Sequence, residues 1–329
     1  RGGGAGSLGA VAGSDGVAVF KVSQPAVPLM ILSHSSSSTT TAALTFQNMA
    51  TSKSSLLLAS ARGSGILVWD VSGHSLSPLQ GRLDDDDSGD EANYTSMAWT
   101  QSSWLAATTA TNACLWDLRQ ARPTLKFGKT AAPSPIVQIA CSNRDECGLI
   151  DTSGNVRVFD IRMTDSRLGS RGQFRAYKHA GVGLSYLQSS LCWLTWGMDD
   201  PDSDAFVKLW AGGVSGEEGN EGRLDNSLDA STTDNNAKFS KSPASSPGTD
   251  FRLAGQCSSR NLACARVCPA PIEDSFVTIG LMNPPNDWRA DLWKFRGPNV
   301  ERLVTLRGSH DRERLAVGGY DPRLLSLRA

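Results

Sequence analysis

Leu115-Trp116-Asp117 is the stretch that decides the fold, because it closes a run of alternating apolar residues and then recurs along the chain. Five further triplets place an aromatic residue after an aliphatic one: Val19-Phe20-Lys21, Val68-Trp69-Asp70, Val158-Phe159-Asp160, Leu209-Trp210-Ala211 and Leu292-Trp293-Lys294. The aromatic residues recur at intervals of roughly 40 to 50 residues, with one longer interval between Trp210 and Trp293. Alternating apolar residues indicate β-strands, so the pattern predicts a repeated strand-rich unit.

The unit around Trp116 shows how four strands fit into one repeat. Apolar alternation and β-branched residues predict strands over 94–100, 104–110, 112–118 and 123–127, separated by polar turns. A single four-stranded sheet cannot bury both of its faces, so successive sheets must stack. We therefore predict an all-β, WD40-type β-propeller of six to seven four-stranded blades over residues 8–311. Residues 312–329 are interpreted as a truncated or irregular tail, which favours a seven-bladed ring, with six blades as the alternative.

Two segments depart from the regular repeat. Residues 212–249 contain almost no large apolar side chain, which predicts a disordered insertion between the third and fourth strands of one blade. Val17–Val22 resembles the closing strands of a blade whose beginning is missing, and propellers often complete one blade with strands from both chain ends. The chain begins at Arg1, which indicates a fragment of a longer protein.

Composition narrows the classes of partner. Lys and Arg number 32 against 33 Asp and Glu, for a net charge of −1, so there is no global attraction to nucleic acid or to a membrane surface. No apolar run approaches the roughly 20 residues of a membrane span. Seven scattered cysteines fit a reducing, cytoplasmic compartment better than a secreted disulfide framework. Protein partners are therefore predicted, without nucleic acid and without a direct membrane span.

The motif residues are assigned structural roles in the repeat. The aromatic side chain should pack between blades, while the acid should join a hydrogen-bond network with a histidine that precedes the next blade, such as His179. A turn acid usually completes that network, yet Gly63, Ala110 and Ser153 stand in its place in three units. We therefore expect apolar packing to hold the blades more than polar networks do. The structural set is Phe20, Trp69, Asp70, Trp116, Asp117, Phe159, Asp160, Trp210 and Trp293.

No pattern predicts a catalytic residue, a metal ion or a cofactor. Cys264 and Cys268 lack the second ligand pair of a zinc site, and Asp84–Asp87 lacks the spaced acids and glycine of a calcium loop. Phosphate-binding glycine loops and nucleophile elbows are also missing from the sequence. Ser242 and Ser246 each precede a proline in the insertion, so they are candidate phosphorylation sites, an unmodified spacer being the alternative.

Three parts of the sequence resemble a particular group of WD-repeat proteins. They are residues 116–124, residues 154–162, and a third part made up of residues 265–279, Asp291-Leu292-Trp293 and Ser309-His310-Asp311. In these the chain resembles the N-terminal propeller of the large WD-repeat subunits of the SEA/GATOR complex. That resemblance implies a scaffold subunit in amino-acid signalling to the target-of-rapamycin kinase. It also implies association, through other subunits, with the vacuolar or lysosomal membrane. Such subunits carry a helical solenoid and a zinc-binding module as well, and this sequence contains neither.

The sequence thus predicts a non-catalytic protein-interaction scaffold. One alternative is a substrate-recognition adaptor of a ubiquitin ligase, because Asp117-Leu118-Arg119 and Asp160-Ile161-Arg162 resemble the Trp-Asp-x-Arg box of such adaptors. Another is an enzyme built on a propeller, which would need polar residues converging on a central channel. No histidine or acid recurs in the repeats in a way that predicts such a cluster.

Overall fold

The structure, a computed structural model, confirms the all-β prediction. The residues that it describes contain β-strands and no helix. They are residues 8–12, 16–21, 24–33, 41–47, 56–63, 65–71, 80–84, 93–120, 122–128, 134–162, 170–201, 205–212, 251–258, 262–270, 272–282 and 287–309.

The described strands form six antiparallel sheets that follow one another along the chain, the first with three strands and the others with four. The first three sheets comprise β1 (Leu8–Ala12), β2 (Gly16–Lys21) and β3 (Gln24–Ser33); β4 (Thr41–Phe46), β5 (Leu57–Arg62), β6 (Gly65–Asp70) and β7 (Gln80–Asp84); and β8 (Ser96–Trp99), β9 (Leu105–Thr108), β10 (Ala113–Trp116) and β11 (Leu125–Phe127). The last three comprise β12 (Ile136–Cys141), β13 (Glu146–Asp151), β14 (Asn155–Asp160) and β15 (Ser170–Arg175); β16 (Ala180–Leu187), β17 (Cys192–Met198), β18 (Phe206–Gly212) and β19 (Phe251–Ser258); and β20 (Leu262–Pro269), β21 (Ser275–Met282), β22 (Asp287–Arg296) and β23 (Asn299–Ser309).

The repeat motif occupies the same place in every four-stranded sheet, on or directly after the third strand. In the first sheet, Phe20 lies on the second of three strands, so the described residues of this sheet lack a counterpart of the first strand. This agrees with the prediction of a blade whose beginning is missing. Strands β18 and β19 flank the predicted insertion, and Ser242 and Ser246 lie outside the described residues.

The sheets stack in sequence order through their first strands. Strand β4 contacts β8, β8 contacts β12, β12 contacts β16, and β16 contacts β20. Such stacking buries the faces that a single sheet leaves open, as a propeller-like architecture requires. Whether the ring has six or seven blades stays a prediction.

Apolar clusters fill the spaces between consecutive sheets, and in each four-stranded sheet the motif aromatic residue packs against the preceding sheet. Side chains alternate between the two faces of a strand, so the residues beside the aromatic one face the following sheet instead. The packing neighbours are Val17 and Val19 for Trp69, Ile66 and Val68 for Trp116, Leu115 and Phe127 for Phe159, Ile150 and Val156 for Trp210, and Leu194 and Leu209 for Trp293.

Candidate protein-interaction surfaces

The indole groups of the motif differ in their hydrogen bonds. Trp210 Nε1 donates to Thr195 Oγ1 at 3.0 Å, and Trp293 Nε1 donates to Thr278 Oγ1 at 2.9 Å. Trp116 is buried edge-on against Tyr94, with ring centroids 5.6 Å apart, and its Nε1 has no hydrogen-bond partner among the described residues. The motif tryptophan is therefore held by a hydrogen bond in each of the last two sheets, whereas in the third sheet it is held by packing against an aromatic ring.

The motif acids of the third and fourth sheets bind an arginine two residues later. Asp117 accepts hydrogen bonds from Arg119 Nε at 2.9 Å and Nη2 at 2.5 Å. Asp160 accepts from Arg162 Nε at 2.9 Å and Nη2 at 2.6 Å. These bonds lower the pKa of both carboxyl groups below the usual range of aspartate. Sequence reasoning expected a histidine in this role, but the backbone turn after the strand brings the arginine back onto the acid.

These two ion pairs form a charged surface that we call the arginine rim: Asp117, Arg119, Asp160 and Arg162. The carboxylates are largely shielded, whereas the side chains of Arg119 and Arg162 are 84% and 64% exposed. Both pairs follow the third strand of their sheets, and those sheets are neighbours. Each arginine keeps unused donor capacity towards solvent, since a guanidinium has five N–H groups.

The turns between first and second strands position this rim. Each of the last four sheets has one non-glycine residue in the left-handed region there: Ser103, Asp145, Leu191 and Asp274, with φ between 53° and 65°. The Asp145 carbonyl accepts a hydrogen bond from the Ile161 amide at 2.9 Å, which holds the end of β14 directly before Arg162. Ser102 Oγ also donates to Asp145 Oδ1 at 2.7 Å, linking the third and fourth sheets.

A second surface, which we call the open face, lies on the first sheet. Leu29 and Ile31 on β3 are 45% and 59% exposed, and Val27, beyond a β-bulge in the pairing of β3 with β2, is 68% exposed. Ile31 is the cross-strand partner of Ala18, and Phe20 follows on the same face of β2, half-buried. The opposite face of the sheet is buried against Trp69 of the second sheet.

The open face is equivalent to surfaces that are covered elsewhere in the molecule. In the other five sheets the motif aromatic packs against the preceding sheet, as Trp69 does against Val17 and Val19. Phe20 occupies the motif position of the first sheet. The face of the first sheet that carries Phe20 is therefore as apolar as the faces that pack against a neighbouring sheet elsewhere. Apolar patches of this kind on a protein surface are typical of interaction sites.

Two prolines restrict the way in which a partner can bind to the open face. Strand β3 is an edge strand of its sheet, and it contains Pro25 and Pro28. Proline has no amide hydrogen to donate, so it protects an edge from pairing with a further strand. A partner is therefore expected to contact the side chains of the open face rather than extend the sheet. The sequence predicts no strand in this segment, and proline within an apolar run weakens the sequence signal of a strand.

Two further ion pairs lie in the last two sheets, and the pair between Arg289 and Asp291 is buried. Arg289 Nη2 lies 2.5 Å from Asp291 Oδ2, and Thr305 Oγ1 donates to the second carboxylate oxygen at 2.6 Å. Lys208 Nζ contacts Asp199 at 2.6 Å and the Ala176 carbonyl at 2.8 Å. Each charge is compensated by groups of its own sheet or of the sheet before it.

The described residues offer little chemistry beyond these contacts. They contain no group of three or more His, Cys, Asp or Glu side chains that could hold a metal ion. Burial raises the pKa of Cys192 to about 11 and that of Cys257 to about 12, which keeps both thiols protonated at neutral pH. No helix in the described part of the chain is long and apolar enough to cross a membrane.

Comparison with known proteins identifies the fold. No protein-family model and no curated protein matches the chain. Among solved structures, it is similar to a chain in an active polycomb repressive complex 2 in the basal state, with 12% identity over 89% of this chain and 64% of that one and a TM-score of 0.58. It is also similar to Raptor from Chaetomium thermophilum, with 13% identity over 92% of this chain and 23% of that one and a TM-score of 0.58.

These matches support a WD40-like fold for the stacked sheets described above. The chain spans less than two thirds of either of these two proteins.

Proposed function

We propose that this protein is a non-catalytic scaffold subunit of a cytoplasmic multiprotein complex, and that the open face docks an apolar surface of a partner protein. The observation that carries the proposal is the exposure of Leu29 and Ile31 on a face whose five counterparts are covered by neighbouring sheets. A rigid stack of sheets loses little conformational entropy on association, which suits a scaffold. The likeness to a chain of polycomb repressive complex 2 supports membership of an assembly.

The docking proposal is tested by charge substitution on the open face. The variant Leu29→Glu/Ile31→Glu should lose its stoichiometric partners in quantitative affinity purification of the full-length protein. Leu303→Glu/Val304→Glu is the matched control, because these residues are similarly exposed on the outermost strand of the last sheet. We expect the control to keep its partners.

Thermal unfolding of the purified protein separates docking from closure of the ring by the chain itself. Docking predicts an unchanged Tm for the isolated open-face variant. A Tm that falls by several degrees, or equal loss of partners in both variants, would show that the open face is an internal interface and overturn the proposal.

At a finer level, we propose the complex to be of the SEA/GATOR type, acting in target-of-rapamycin signalling at the vacuolar or lysosomal surface. The resemblance of residues 116–124 and 154–162 to its WD-repeat subunits supports this; WD repeat-containing protein 59 is the subunit that we propose, and the sister WD-repeat subunit of the same complex, which fits about as well, is the alternative. Co-purification of the other SEA/GATOR subunits at stoichiometric amounts would support the assignment. Their absence from an otherwise intact complex would contradict it.

A second candidate function, ubiquitin-ligase adaptor, is favoured by the arginine rim. Arg119 and Arg162 hold their own aspartates and yet remain exposed, so both can donate further hydrogen bonds to a ligase scaffold. The variant Arg119→Ala/Arg162→Ala would then lose a co-purifying ligase scaffold. Retention of all partners by this variant would exclude the rim as that contact.

A further inference from the structure

Two cysteine thiols face each other across the first hairpin of the fourth sheet. Cys141 on β12 and Cys147 on β13 are direct cross-strand partners, and their sulfur atoms lie 3.2 Å apart. The next pair along the hairpin, Ser142 and Glu146, is joined by an amide-to-carbonyl bond of 2.8 Å. Hydrogen-bonded and non-hydrogen-bonded pairs alternate in an antiparallel ladder, so the cysteines occupy a non-hydrogen-bonded position.

That position has the geometry of a disulfide. Non-hydrogen-bonded pairs have Cα atoms about 4.5 Å apart and side chains that approach closely. Disulfides span Cα separations of about 4.4 to 6.8 Å. The sulfurs of Cys141 and Cys147 need to approach by only about 1.2 Å to reach bonding distance. Rotation of the two side chains supplies that approach, and the strands keep their register.

The two thiols also differ in access, as an attacking and a resolving thiol must. Cys141 is half-buried and reachable from solvent, whereas Cys147 is buried in the cluster between the third and fourth sheets. The contact with Cys141 and burial raise the pKa of Cys147 well above its usual value, so Cys147 is the poorer first nucleophile.

We propose that Cys141 and Cys147 form a reversible regulatory disulfide, with glutathione disulfide as the oxidant. The Cys141 thiolate attacks one sulfur of glutathione disulfide, forming a mixed disulfide and releasing one glutathione thiolate. Cys147, on losing its proton, then attacks Cys141 Sγ, forming the protein disulfide and releasing the second glutathione. The protein loses two protons and two electrons, and one glutathione disulfide takes them up to become two glutathiones.

The disulfide would lock the hairpin that carries Asp145. Through its side chain and carbonyl, Asp145 links the third and fourth sheets and holds the end of β14 before Arg162. Oxidation therefore adds a covalent bond to the hairpin beneath Arg162, whereas in the reduced protein hydrogen bonds and apolar packing hold the hairpin.

Peptide mapping after equilibration with defined ratios of glutathione and glutathione disulfide tests the proposal directly. Trypsin cuts after Arg144, so the two cysteines fall on separate peptides, 130–144 and 145–157. We expect these peptides to be joined in the native, oxidised protein and to separate on reduction. The variant Cys147→Ala should stop at the mixed disulfide and carry one glutathione on Cys141.

The control variant is Cys192→Ser, which removes a buried thiol from the neighbouring sheet and should leave the cross-linked peptide unchanged. The proposal is overturned if the cross-link forms only in urea. It is also overturned if wild-type protein accumulates glutathione on Cys141 without closing the disulfide, or if Cys147→Ala gives no adduct.

Discussion

Trp293 donates a hydrogen bond of 2.9 Å from its indole Nε1 to Thr278 Oγ1, across two adjacent strands of the last sheet. Both side chains are buried, so this bond replaces a bond to water that the indole loses on folding. Trp116, in the same motif position of the third sheet, has no such partner among the described residues. Identical motif residues are therefore stabilised in different ways from sheet to sheet.

Thr278→Val should destabilise the protein by about 1–3 kcal/mol, because it leaves the buried Trp293 N–H without an acceptor while keeping the shape of the side chain. Urea unfolding monitored by tryptophan fluorescence measures the change. In a protein that already carries Trp293→Phe, the same substitution should lower the free energy of unfolding by much less. Equal costs in the two backgrounds would show that the hydrogen bond is not the cause.

Arg119→Ala should raise the pKa of Asp117, because the arginine hydrogen bonds that lower it are lost. A carboxylate with a lowered pKa in the folded state contributes stability above its unfolded-state pKa. That contribution disappears as the pH falls through the folded-state value. The variant should therefore have a lower Tm than wild type near neutral pH, and the two should converge in acid. A carboxyl-carbon NMR titration that gave the same Asp117 pKa in both proteins would contradict this.

Asp291→Ala should be severely destabilising, by about 3–5 kcal/mol, because Arg289 would lose its carboxylate in a buried site. The side chains of Asp291 and Arg289 are 0% and 7% exposed. Glu301→Ala is the matched control in the same sheet, since it removes the exposed contact with Arg296 and should cost no more than about 1 kcal/mol. Chemical denaturation of the two variants measures this difference in stability. Equal denaturation midpoints for the two variants would contradict the prediction.

Gly183→Ala should destabilise the fifth sheet by about 1–3 kcal/mol through overpacking. A Cβ atom at this position would lie 2.0 Å from Trp196 Cζ2 and 2.6 Å from Gln138 Oε1. Gly212→Ala is the control, because its Cβ would meet the Phe251 ring at 3.0 Å at the exposed end of β18. Thermal unfolding should show the larger loss for Gly183→Ala, and a reversed order would contradict the packing.

Much of the fold could be predicted because each repeat carries its own local pattern. In the third sheet, the predicted strands contain β8, β9, β10 and β11 with boundaries that differ by a few residues. Outer strands such as β15 and β19 went unassigned, since an outermost strand with a polar face has weak apolar alternation. Strand β3 is not among the predicted strands; it contains two prolines, which an edge position tolerates.

The candidate surfaces could be predicted only in part. The Asp-x-Arg steps were visible, but the partner of each acid depends on the turn after the strand, which folds Arg119 back onto Asp117. The Thr278 acceptor of Trp293 lies on the neighbouring strand, so it depends on strand register. Cys141 and Cys147 are close in sequence, yet their contact needs a tight turn over residues 142–145 with Asp145 in the left-handed region.

By itself, the sequence determined the all-β class, the order of the repeats and the motif aromatic residues of the four-stranded sheets, which pack between sheets, because side-chain alternation and motif period are local properties. Only the tertiary structure decided which faces stay exposed. Val27, Leu29 and Ile31 have the composition of a buried strand, and they are exposed because the described residues place no sheet against them. Burial depends on what packs across a face, and that is a relation between distant segments of the chain.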